Sequence, residues 1–108
     1  MLDSIAPGRP EELSLPDYSH NLRQLVEKML ILRGRRNATC RVFPPASGTR
    51  TYSVVLEESQ VREQFFLDPG QVEQFGRTGN EQYVLTDVRS GVRSLDRLLT
   101  RKKTARTR

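Results

Sequence analysis

The chain has 108 residues, 35% hydrophobic and 29% charged, with a formal net charge of +5. This describes one small domain with a single core, too apolar to be disordered throughout and polar enough that part of the chain stands outside the core. A lone cysteine excludes an internal disulfide framework, and the longest purely apolar run, Met29–Leu32, is too short to span a bilayer.

Residues 1–13 contain Pro7, Gly8 and Pro10 among few apolar side chains and read as a flexible lead-in. They lack a basic segment followed by an apolar run, so no secretory signal is expected, and the expected setting is reducing and cytoplasmic. A single domain is expected over residues 14–101, followed by a mobile basic tail over 102–108. Ser14-Leu15-Pro16-Asp17 is a helix start, with a Ser cap, a Pro in the first turn and an acid three residues after the Ser. From there Tyr18, Leu22, Leu25, Val26, Met29 and Leu32 recur at helical spacing until Gly34. Leu30 and Ile31 lie off that stripe, so Met29, Leu30, Ile31 and Leu32 are apolar nearly all round. A helix end that is apolar on two sides is buried on two sides, either within its own core or against another subunit, and a homodimer is one way to supply the second contact.

Two alternating runs, Ala38–Phe43 and Thr49–Leu56, flank the turn formers Pro44-Pro45-Ala46-Ser47-Gly48 and predict an antiparallel hairpin. Cys40, Val42, Tyr52, Val54 and Leu56 would share its inner face. Phe43 and Tyr52 are both expected in the core, although an aromatic exposed there beside Arg41 and Arg50 would be able to stack on a base. Residues 57–64 read as a polar, acidic connection. Asp68-Pro69-Gly70-Gln71 predicts either a turn or a short helix through Phe75, with Gly76 and Gly79 closing it. Glu81–Val88 reads as the third strand and Ser90-Gly91 as a break after it. The expected fold is therefore α+β, a small antiparallel sheet packed by an N-terminal helix and a C-terminal basic amphipathic helix.

That last helix carries the sharpest pattern. Val88, Val92, Leu95 and Leu99 fall within about 60° on a helical wheel, and Arg89, Arg93, Arg97 and Arg101 lie on the opposite side. Charge is distributed in blocks along the chain. Residues 33–54 hold five arginines and no acid, whereas residues 89–108 hold eight bases and one acid. Arginine outnumbers lysine 15 to 3, and guanidinium forks suit phosphates and carboxylates, although a GC-rich genome gives the same bias. Arg33, Arg35, Arg36, Arg93, Arg97, Arg101, Lys102 and Lys103 are the candidate contacts for an anionic partner. The same residues can equally be a solvated face that complements helix dipoles.

Catalytic chemistry is not legible. His20 is the only histidine, Cys40 has no histidine nearby in sequence, and the two cannot together complete a metal site. Gly76-Arg77-Thr78-Gly79 lacks the Lys-Ser/Thr of a phosphate loop. No cofactor or metal is expected, and the chain reads as non-catalytic. Its expected partner is nucleic acid, DNA or RNA, through phosphates. The alternative is a linker or assembly protein that meets acidic protein surfaces in a larger complex. A membrane is disfavoured, because the apolar face of the last helix carries only Val and Leu.

Overall fold

The computed structural model describes residues 17–46 and 50–106, with side chains as far as Lys102. Helix α1 (Ser19–Leu32) is followed by strands β1 (Thr39–Phe43), β2 (Tyr52–Glu58) and β3 (Val61–Leu67). Helix α2 (Pro69–Thr78), a 3₁₀ turn (Glu81–Tyr83) and helix α3 (Leu85–Arg106) complete the fold. The strands form one antiparallel sheet in the order β1-β2-β3, with α1 packed against β1 and α3 against β3. This is the α+β arrangement expected, a small antiparallel sheet covered by the first and last helices.

At the start of α1 the Ser19 N–H donates to Asp17 Oδ1 at 2.8 Å, and the Tyr18 N–H donates to the buried Tyr52 hydroxyl at 3.1 Å. The cap expected at Ser14, the lead-in and the centre of the β1–β2 connection lie outside the described residues. The helix ends in a Schellman turn. Gly34 takes φ +78°, its N–H reaches the Ile31 carbonyl at 2.9 Å, and the Arg35 N–H reaches the Leu30 carbonyl at 2.8 Å. Leu22, Leu25, Val26 and Leu30 are buried, with Tyr18 and Met29 packed at their margin. Leu32, expected on the apolar stripe, is 71% exposed, whereas Leu30, expected off it, is buried. The two flank Leu22 by about 80° on either side, so tertiary packing rather than pattern decides which turns inward.

The β1–β2 hairpin pairs Cys40 with Leu56 and Val42 with Val54, and its expected inner face joins the core. The third strand is not Glu81–Val88 but Val61–Leu67. It pairs with β2 through a two-residue turn, Ser59-Gln60, in which both residues have positive φ (53° and 68°). Such turns are usually written Asn-Gly or Asp-Gly, and neither signal is present here. Glu63 on the inward-facing side further disguises the alternation of Val61, Phe65 and Leu67. Asp68 caps α2, accepting from the Gln71 N–H at 3.2 Å, and Gly79 closes it at φ +77°. Gly76 does not close α2. It lies inside the helix where the Tyr18 ring presses on the backbone, and a Cβ would stand 2.1 Å from Tyr18 Cδ1.

Glu81–Val88 instead forms the 3₁₀ turn and the first turn of α3. Val84, Val88, Val92 and Leu95 are buried at four- and three-residue steps, a helical period that a short window mistakes for alternation. Gly91 is not a break. It sits in mid-helix because α3 crosses β3 there, with the Phe65 ring 2.3 Å from where a Cβ would be. Nor does the helix end at Arg101, since its backbone continues to Arg106 through residues of good helix propensity. Among the described residues no helix is long and apolar enough to cross a membrane.

Candidate functional site

Helix α3 has 22 residues and so spans about 33 Å. Its buried stripe faces the sheet, leaving Arg89, Arg93, Arg97 and Arg101 exposed along the outer side. Residues four apart on a helix rise about 6 Å, so the four guanidinium stems form a row about 18 Å long. Among the described residues none of the four is within ion-pair distance of a carboxylate. Arg97 donates to Ser94 Oγ at 3.1 Å. Like charges at this spacing repel, each pair costing the helix about 0.2–0.5 kcal/mol at low salt. The row persists because the apolar side of α3 holds the helix in place.

The turn after α1 behaves differently. Asp96, on the flank of α3 that faces this turn, accepts from Arg33 Nε at 2.5 Å and from Arg35 Nε at 2.6 Å. Arg35 Nη1 also lies 3.6 Å from Glu58 Oε2. Burial pushes the Asp96 carboxyl up, but the hydrogen bonds and charges of Arg35 and Arg33 outweigh it and hold the group below its ordinary value. Arg33 and Arg35 are thereby tied into a clamp joining the end of α1, the end of β2 and the middle of α3. Arg36 is exposed and has no ion pair among the described residues. Lys102 donates to the Ser59 carbonyl, holding the strained turn against the end of α3. The Lys103 side chain lies outside the described residues.

The eight candidate cations thus divide. Arg93, Arg97 and Arg101 face solvent in one row with Arg89, while Arg33 and Arg35 are neutralised internally. Two ion pairs flank the stretch bearing Arg89 and Arg93. Lys28–Glu81 at 2.6 Å ties α1 to the 3₁₀ turn before α3, and Arg33–Asp96 at 2.5 Å ties the end of α1 to α3 itself. The proposed interface at the end of α1 also divides. Leu30 is core and Met29 borders it, but Ile31 and Leu32 are 49% and 71% exposed.

Cys40 is 8% exposed, and burial, with the Glu27 charge adding to it, pushes its thiol up to about 12. It is a core hydrophobe. His20 lines a groove of about 390 Å³ with Asp17, Arg23, Arg41 and Phe43, between the start of α1 and β1. Among the described residues no three His, Cys, Asp or Glu side chains converge as metal ligands would.

Two features escaped the sequence reading. Arg89, on the helical wheel of the arginine row but not among the eight candidate contacts, belongs to the exposed row, because Ser90-Gly91 does not interrupt the helix. Phe43 and Phe66 are not core but 47% and 58% exposed, on the sheet face away from the helices. Register would have revealed them, but register depends on finding β3. Fold and site together define a small α+β protein with a basic helix face. Comparison with known proteins finds no matching family model, no matching curated protein and no matching solved structure.

Proposed function

We propose that this protein is a small non-catalytic module that docks on nucleic acid through phosphate contacts made by α3. The observation that carries this reading is the row Arg89–Arg93–Arg97–Arg101, exposed and without carboxylate partners among the described residues, while the only acid of residues 89–108 is turned inward to Arg33 and Arg35. Four guanidinium groups over about 18 Å match a polyanion whose charges recur closely along its axis. Lys102 and Lys103 follow the row in sequence, and Arg36 carries a further exposed positive charge in the turn after α1. A reducing compartment suits a protein whose one cysteine is an unpaired core residue.

A second reading has its own support. Ile31 and Leu32 remain exposed at the end of α1, close in sequence to Arg33 and Arg36, so an assembly partner with an acidic, partly apolar face also fits. Titration against random single- and double-stranded oligonucleotides at several salt concentrations separates the two. Four phosphate contacts give a slope of log K against log salt of about −3 to −4. An R93E/R97E double variant should lose most of that slope. Absence of binding at low salt removes the nucleic-acid reading and leaves the assembly one.

A further inference from the structure

The sheet has a second, outward face that α1 and α3 do not cover. Phe43 pairs across to Ser53, and Ser53 pairs to Phe66, so the two rings flank a small residue in one row across the strands. With neighbouring strands about 4.8 Å apart, the two backbones bearing the rings stand about 10 Å from each other. The next row runs Arg41, Val55, Gln64 and the one after it Thr39, Glu57, Arg62. The Arg41 guanidinium lies 6.0 Å from the Phe43 ring centroid and 3.5 Å from Glu57. Arg62 is exposed without an ion pair among the described residues. Beside Phe43 the face continues into the groove between β1 and α1, where Arg23, 3.5 Å from Glu27, and His20 stand with Arg41 and the acid Asp17.

We infer that this face is a stacking platform for single-stranded nucleic acid, with Phe43 and Phe66 each taking one base and Arg41, Arg62 and Arg23 taking phosphates. The inference deepens the nucleic-acid reading and rests on it for the class of partner, but it uses a surface that the α3 row does not share. Two separated, half-exposed rings suit flat ligands that arrive one at a time along a strand, since every base offers a π-face and the spacing is sequence-tolerant. The charge argues the same way. Arg41 and Arg62 against the single acid Glu57, itself held by Arg41, leave the face positive, as a phosphate backbone requires. A protein partner or second copy would instead have to bury Arg62, for which this face offers only Glu57, already paired with Arg41. Duplex is disfavoured here because its bases are already stacked on one another.

The experiment is fluorescence anisotropy with a short labelled oligothymidylate and a blunt duplex of the same length, on wild type, F43A, F66A, F43Y, F66Y and R93E/R97E. Both rings are surface groups, and thermal melts identify any variant that fails to fold. Each Ala variant should weaken single-strand binding about 5- to 150-fold and leave duplex binding within twofold, while each Tyr variant should bind as wild type. Ala variants that bind oligothymidylate like wild type, while R93E/R97E does not, overturn the platform and leave the α3 reading standing. Loss in the Ala variants with R93E/R97E unchanged supports the platform and overturns the α3 reading. No nucleic acid bound at low salt overturns both. A dimer in sedimentation that F66A dissociates makes the face a contact between copies and also overturns the platform.

Discussion

Reversing one charge in the α3 row should strengthen the fold and weaken its binding together. Arg93 has Arg89 four residues before it and Arg97 four residues after. Its nearest carboxylate along the helix, Asp96 three residues on, is not within ion-pair distance and is held by Arg33 and Arg35. In Arg93→Glu both neighbours change from repulsive to attractive. Each repulsive pair costs about 0.2–0.5 kcal/mol and each attractive pair contributes about the same, so the two conversions stabilise by about 1–2 kcal/mol at low salt. The new repulsion between the introduced carboxylate and Asp96 offsets up to about half of this, leaving about 0.5–1 kcal/mol. In a domain of this size one kcal/mol moves the melting temperature by about 4–8 °C. Arg93→Glu should therefore melt about 2–8 °C above wild type. The gain should nearly vanish near 1 M salt, where the screening length is about 3 Å. Over the same salt series, affinity for random oligonucleotides should fall at least about tenfold at low salt, with a slope shallower by about one ion or more. Paired thermal melts and anisotropy titrations measure both. A variant that melts below wild type, or one that binds nucleic acid as well as wild type, refutes the view that the row is an intrinsically strained docking surface.

Other perturbations report on the parts that hold this surface in place. Asp96→Asn should cost about 1–3 kcal/mol at neutral pH by weakening the bridge between Arg33 and Arg35. Because the folded Asp96 carboxyl titrates below its unfolded value, its contribution is complete above about pH 5 and is lost as pH falls through the acid range. The gap in urea-melt stability between wild type and Asp96→Asn should accordingly close below about pH 4, and a gap that widens there is the wrong sign. Gly91→Ala gains about 1 kcal/mol of helix propensity but sets a methyl 2.3 Å from Phe65 Cδ1. Overpacking should prevail, for a net loss of about 1–2 kcal/mol, and the loss should shrink or reverse in a Phe65→Leu background. Cys40, with its thiol pushed up to about 12, should react with an aromatic disulfide reagent at pH 8 only as fast as the protein unfolds. Immediate labelling of the native protein would show the core open at β1.

Much of the fold is legible because local and tertiary preferences agree there. The α1 stripe, the Gly34 stop, the inner face of the β1–β2 hairpin and the Asp68 cap all rest on short-range rules that packing then reinforces. What failed was punctuation. Ser59-Gln60 makes a left-handed two-residue turn without the residues that announce one, so β3 was hidden and a strand was sought at Glu81–Val88 instead. Gly91 is small because Phe65 presses against the helix, a reason that lies 26 positions away in the chain. The candidate site was legible in the same proportion. The four-residue period of the arginines is a local fact and identified the exposed row. The pairing of Arg33 and Arg35 with Asp96 links positions about sixty residues apart, and the exposure of Phe43 and Phe66 follows from pairing across three strands. No window of sequence contains either.

The inward turn of Asp96 also sets the azimuth of α3. Anchored between two guanidinium groups from the α1 turn, it resists rotation of the helix about its own axis, as does the contact of Phe65 with Gly91 on the opposite flank of the buried stripe. The arginine row therefore points outward at a fixed bearing before any ligand arrives. The row is a comb whose teeth are set at their roots before anything touches them, so the ordering cost of an encounter is confined to the arginine side chains themselves.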